Sequence, residues 1–304
     1  MNDMIVQTDN LYFSFKAGQP ILNGINMKVP KGSIYGFLGP NGAGKTTTLR
    51  LLLGLLSNQK GEIKIFDQHL AHHRIDILKR LGSLVEQPSL YLHLTGYENL
   101  EIYRLIYGCK KQRINEVLEI VGLTTALNKK AKQYSLGMKQ RLAIAIALLP
   151  QPEFLILDEP TNGLDPNGII ETRELIKRLN KEFGTTVLVS SHILAEVEKM
   201  ATHVGIIHKG NMLFQGTLKE LQLMQSSKSA LEIETNDNNR AATLLNDITE
   251  LTQTDTAIII PFKNKNQSAA INRKLVESGL EVYALHPQHN DLEQLFMDIT
   301  SNGK

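Results

Sequence analysis

The run Gly39-Pro40-Asn41-Gly42-Ala43-Gly44-Lys45-Thr46 fits every fixed position of the pattern G-x-x-x-x-G-K-[ST], and its flanks restrict the fold around it. Ile34-Tyr35-Gly36-Phe37-Leu38 ahead of it reads as a short buried strand. Thr47-Thr48-Leu49-Arg50-Leu51-Leu52-Leu53 behind it opens a helix. A strand–loop–helix of this kind aims successive backbone N–H groups and the positive end of a helix dipole at one anion. Glycines let the backbone approach phosphate oxygens. In that setting Lys45 meets the β- and γ-phosphates of a nucleotide and the Thr46 hydroxyl ligates Mg²⁺. A glycine turn that happens to precede a helix is the bland alternative, and eight agreeing residues with matching flanks weigh against it.

A second motif supplies carboxylates. Phe154-Leu155-Ile156-Leu157-Asp158-Glu159 is an apolar run ending in two acids, which reads as a buried strand with acids at its C-terminal end. Ligands of open α/β sheets sit at that end. Asp158 is placed to hold Mg²⁺ through water, and Glu159 to orient or deprotonate an attacking water. An acidic turn before Pro160 is the competing reading; the phosphate loop upstream favours the functional one.

Between these motifs, Tyr134-Ser135-Leu136-Gly137-Met138-Lys139-Gln140-Arg141 precedes the helix-like run Leu142–Leu149. Read from residues alone it is a helix start with a serine near the cap. In order and spacing with the other motifs, it resembles the signature of ATP-binding-cassette (ABC) ATPases. Leu136 stands where their first glycine is usual and Met138 where the glutamine is. The resemblance covers roughly residues 4 to 220. It implies ATP and Mg²⁺ as ligands, and an anion site on Ser135, Gly137 and the following helix N-terminus. Asn162-Gly163-Leu164-Asp165 resembles the D-loop, with Asp165 and Pro166 suited to cap and start a helix. The strand-like Val187–Ser191 delivers His192, which resembles the switch histidine. Asn10–Phe15 aligns with the strand whose last aromatic stacks on adenine: Phe15, with Tyr12 and Phe13 as alternatives, or all three as alternating core residues.

The family places glutamine two residues before a proline in its Q-loop. Here Val85-Glu86-Gln87-Pro88-Ser89-Leu90-Tyr91 puts Glu86 in that register, with Gln87 as the alternative. A carboxylate there resembles the loop of transporters that protect bacteria from lantibiotics, and the stretch as a whole is similar to bacitracin-type exporters. On that resemblance Glu86 joins Thr46 and Asp158 as a metal-side residue.

Composition excludes other classes. A net charge of +2 with 21% charged residues argues against a nucleic-acid surface. One cysteine, Cys109, excludes an internal disulfide and a cysteine zinc cluster, and suits a reducing compartment. Met1–Met4 has neither the basic region nor the apolar core of a signal peptide. The longest wholly apolar run, Leu142–Leu149, falls short of the roughly twenty residues of a membrane span.

The expected fold is α/β: a P-loop three-layer core with an antiparallel β-subdomain and a helical subdomain over about 90–150. The ATP-binding domain is expected over 1–224. Polar Gln225–Ser229 reads as a connector to a C-terminal α+β module, 225–304, with seven basic and eleven acidic residues. Asp291–Thr300 resembles the closing helix of prokaryotic exporter ATPases. The resemblance further implies a head-to-tail dimer with a second copy, in which Lys45 of one chain and Ser135 of the other clamp one ATP. Gly39 to Thr47 would cradle the nucleotide, Asp165 would lie near it, and Lys45, Glu159 and His192 would act in hydrolysis. The partners implied are integral membrane permease subunits, met through the helical subdomain at the cytoplasmic face of the bacterial membrane. Export of a peptide antibiotic is the function expected. The rivals are another exported substrate, a non-transport ABC ATPase acting on ribosomes or DNA, and a nucleotide-dependent regulatory module with little turnover. The second usually carries two cassettes or a long coiled coil, and Glu159 and His192 weigh against the third.

Overall fold

A computed structural model describes residues 3–16, 18–86, 89–226, 230–246, 251–254, 256–262 and 264–288. The chain divides into two compact units, Met1–Thr217 and Leu218–Lys304. The first unit runs β1 (Met4–Lys16), β2 (Gln19–Ile25), β3 (Lys28–Pro30), β4 (Ile34–Leu38), α1 (Lys45–Leu52), β5 (Lys60–Ile65), β6 (Gln68–His69), α2 (Leu70–Lys79) and β7 (Leu81–Leu84). It continues through α3 (Gly96–Tyr107), α4 (Gln112–Ile120), α5 (Leu136–Leu148), β8 (Phe154–Asp158), α6 (Pro166–Phe183), β9 (Thr186–Ser191), α7 (Leu194–Glu198), β10 (His203–His208) and β11 (Asn211–Thr217).

Two sheets form this unit. One is antiparallel, ordered β2-β1-β5-β6 with β3 also paired to β1. The other is ordered β11-β10-β4-β9-β8-β7, parallel apart from the edge hairpin that adds β11. Strands β4, β8 and β9 are buried at every position, as the apolar centres of these strands require of a sheet covered on both faces. Because β4, β9 and β8 are parallel neighbours, their C-terminal ends share one edge. Register sets Leu38 beside Ser191 and Ser190 beside Asp158. That edge receives the glycine loop, the acid pair and His192 together.

The helical segment is α3, α4 and α5. Thr95 starts α3 with a reciprocal capping box to Glu98, and Ser135 caps α5, accepting from the Met138 N–H. Helix α5 buries Gln140 and every residue from Leu142 to Leu148. Cys109, partly buried, follows α3 and donates to the Leu149 carbonyl.

The second unit comprises α8 (Leu218–Ser226), β12 (Ala230–Thr235), α9 (Asn238–Asn246), β13 (Thr252–Gln253), β14 (Ile258–Pro261), α10 (Lys265–Glu277) and β15 (Val282–Gln288). Helix α8 crosses the boundary expected at 224/225, because Gln225 and Ser226 end that helix instead of starting a connector. The sheet is antiparallel throughout, ordered β13-β14-β12-β15. Leu231, Ile233, Leu245, Ile258, Ile260, Ile271 and Leu275 form its core. The helix expected over 291–300 lies outside the described residues.

Candidate nucleotide site

The glycine loop follows from steric necessity at two positions. A Cβ on Gly39 would stand 2.4 Å from the Ile207 carbonyl oxygen, so the backbone admits only glycine there. Gly44 has φ +110 and is the N-cap of α1. No side chain caps that helix, which leaves its first N–H groups to a ligand. The loop closes on itself through Ala43 N–H to the Pro40 carbonyl at 3.1 Å. Asn41 and Gly42 are exposed, while Thr46 and Thr47 are half-buried in the first turn of α1.

Lys45 is buried, with 6% of its side chain exposed. Its Nζ donates to the Gly39 carbonyl at 2.6 Å and lies 3.1 Å from Glu159 Oε1. The other oxygen of Glu159 is 2.9 Å from His192 Nδ1. Thr46 Oγ1 donates to Asp158 Oδ2 at 2.9 Å. Ser190 joins the two acids: its hydroxyl donates to Asp158 Oδ1 at 2.5 Å and accepts from the Glu159 N–H at 2.9 Å. Lys45, Thr46, Asp158, Glu159 and His192 are thus one connected network. Among the described residues no Lys or Arg pairs with Asp158, a carboxylate only 6% exposed and satisfied by hydroxyl donors. A buried anion without a cation suits a hard metal ion, and the donors are oxygens. Among the described residues no three His, Cys, Asp or Glu side chains group to hold a metal. A cation here would complete its shell with water and phosphate oxygens, as Mg²⁺ does.

A cleft of about 650 Å³ opens beside this network, and Glu86, Leu136, Lys139, Asp158, Glu159 and Asn162 line it. Glu86 is exposed, takes a left-handed φ of 64, and is paired with Arg50 of α1. Gln87 lies outside the described residues. Ser135 is exposed at the start of α5, with Leu136 beside it 49% exposed. Gly137 leaves ordinary space around a would-be Cβ, 3.9 Å from Leu164. Asp165 caps α6 by accepting from the Gly168 N–H at 3.0 Å, and Pro166 begins the helix. Phe15 is 60% exposed, whereas Phe13 is buried beneath it, edge to face at 4.9 Å. Tyr12 is half-buried. Among the described residues no hydrogen bond ties Phe15, Ser135, Gly137 or Asp165 to the Lys45 network.

The family profile described as ABC transporter matches residues 22–162. The bacitracin transport ATP-binding protein BcrA of Bacillus licheniformis is 44% identical over 303 residues, 98% of each chain. The chain belongs to the ABC transporter ATP-binding proteins. The lantibiotic transport ATP-binding protein SrtF of Streptococcus pyogenes is 46% identical over 195 residues, 64% of this chain and 83% of that one. A dimeric ATP-binding cassette in a post-hydrolysis state, bound to ADP and Pi, superposes with a TM-score of 0.63 at 27% identity, over 70% of this chain and 98% of that one.

As an ABC ATPase the chain binds ATP and couples its hydrolysis to transport, in a family whose cassettes dimerise and pair with transmembrane subunits. Among its described residues no helix is long and apolar enough to cross a membrane. Sequence reasoning missed two residues of this cassette's site. Ser190 sits in a β-branched strand and was legible only as a hydroxyl near the end of an otherwise apolar run. Arg50 lies 36 positions from Glu86, and nothing in either local pattern links the two.

Proposed function

We propose that this ABC ATPase powers efflux of a peptide antibiotic, of the bacitracin or lantibiotic kind, through a separate permease at the cytoplasmic face of a bacterial membrane. The likeness to BcrA carries this reading, because it extends over 98% of both chains and so spans both units. The carboxylate of Glu86 in the cleft adds to it.

Within that reading the Gly39–Thr46 loop and Thr47 hold the phosphates, and Phe15, exposed at the end of β1, offers its face to adenine. Lys45 leaves Glu159 for the β/γ-phosphates when ATP enters, which frees the carboxylate. Glu159 then takes a proton from water as the water oxygen attacks the γ-phosphorus. The bond from that phosphorus to the bridging oxygen breaks, and ADP departs. His192 orients Glu159 through Nδ1. Thr46 and Asp158 would hold Mg²⁺, with Glu86 on the same side, where the ion would offset charge on the phosphate oxygens. Ser135, Gly137 and Asp165 serve the partner chain's nucleotide in a head-to-tail pair, where ATP bridges two half-sites.

Resistance tests the reading. A susceptible bacterium carrying this chain and its permease should grow at raised bacitracin or lantibiotic, and the Glu159→Gln version should not. Equal susceptibility with and without the active chain, while it still releases phosphate from ATP, would leave an ABC ATPase serving another substrate.

A further inference from the structure

We propose that Arg50 is a positioning residue whose pairing with Glu86 competes with the metal–nucleotide complex, so that Glu86 exchanges one for the other. This rests on the reading of Thr46 and Asp158 as the metal side of the site. Thr46 and Arg50 are four residues apart in α1, and side chains at that spacing share one face of a helix. Arg50, which pairs with Glu86, therefore rises from α1 one helical turn after Thr46, the donor to Asp158. Glu86 lines the same cleft as Asp158 and Glu159.

Charge explains why a cation is needed there. Three carboxylates face that cleft. Lys45 answers Glu159 and two hydroxyls answer Asp158, which leaves Glu86 to Arg50. The backbone is consistent with this: Glu86 takes φ +64, a region uncommon for a residue with a Cβ, and its pairing with Arg50 gives that turn a side-chain contact. The pair is nevertheless weak. Its side chains are 35% and 60% exposed, and an ion pair so open to water is readily outcompeted by a divalent ion. Weakness is what makes the contact exchangeable, where a buried pair would lock the loop. A neutral glutamine at position 86 would have no such use for Arg50.

Mn²⁺ in place of Mg²⁺, titrated by electron paramagnetic resonance against the full chain with a non-hydrolysable ATP analogue, tests the exchange. Arg50→Gln should lower the Mn²⁺ midpoint about two- to fivefold, the span of an exposed pair, because Glu86 is freed. Arg50→Lys should restore it. Glu86→Gln should raise the midpoint, and adding Arg50→Gln to Glu86→Gln should then change nothing. Equal shifts from Arg50→Gln in both backgrounds would mean that Arg50 acts only through its field, and would overturn the exchange. So would an unchanged midpoint in Glu86→Gln, if Asp158→Asn still raises it. If Asp158→Asn is also without effect, the metal assignment itself falls, and the exchange with it.

Discussion

Replacing Ser190 by alanine removes a hydroxyl that serves two partners at once. Ser190 is fully buried; it donates to Asp158 Oδ1 at 2.5 Å and accepts from the Glu159 N–H at 2.9 Å. The space left by one oxygen is too small to admit a water, so both partners stay unpaired. A hydrogen bond to a charged group contributes about 1.5–3 kcal/mol and an orphaned N–H costs about 1–3 kcal/mol; the two overlap, and about 2–4 kcal/mol is expected for the pair. Because the chain has two compact units, a whole-chain melt would blend them. Hydrogen exchange of β8 and β9 amides in rising urea reads the cassette alone. Ser191→Ala is the control, since its hydroxyl accepts from the Ile193 N–H at 3.0 Å and meets no carboxylate. Ser190→Ala should also slow ATP turnover, because Glu159, at φ 46, loses the contact that fixes its backbone. A stability loss below about 1 kcal/mol with turnover intact would refute the assignment of Ser190 as the strut between the two acids.

Lys45→Ala should abolish ATP binding in an equilibrium nucleotide titration, since it removes the buried cation at the loop; near-normal affinity would count against the phosphate site. Ser135→Arg should leave nucleotide binding by the single chain intact and block closure of the pair. Mixed with Lys45→Ala it should regain phosphate release, because one composite site then carries both lesions and the other neither. Glu153 accepts from Arg80 at 2.7 and 3.1 Å, and that guanidinium holds its carboxyl below the usual range. A depressed carboxyl stabilises the fold above its unfolded pKa and loses that contribution as pH falls through its folded value. Glu153→Gln should therefore flatten the acid side of the cassette's stability profile, followed by exchange in β8.

How far the sequence spoke depended on whether a residue's partner was nearby in the chain. The loop from Gly39 to Thr46 was readable because its conformation is set within the loop: Gly44 takes φ +110, and Ala43 N–H donates back to the Pro40 carbonyl at 3.1 Å. Asp165 and Ser135 were readable as caps for the same reason, each accepting from an N–H three residues on. Phe13 and Phe15 were not separable by alternation, since both fall on one face of β1. Only the end of the strand, where burial stops, leaves Phe15 in solvent. Ser190 and Arg50 gain their meaning from contacts 32 and 36 residues away, which no local period encodes. The compact units part at Thr217 and Leu218, ahead of α8, which ends in Gln225 and Ser226, polar residues that a helix end tolerates as readily as a loop does.

Glu159 is held between Lys45 and His192, and on the proposed reading it is the general base of a nucleotide site that two chains share. Light scattering of Glu159→Gln at saturating Mg-ATP, with phosphate release followed in the same sample, tests it most directly. Turnover should fall by roughly 10²-fold or more, the scale of a lost general base. Dimers should accumulate and disperse when ATP is replaced by ADP. A monomer under those conditions, or phosphate release at the parent rate, would contradict the account.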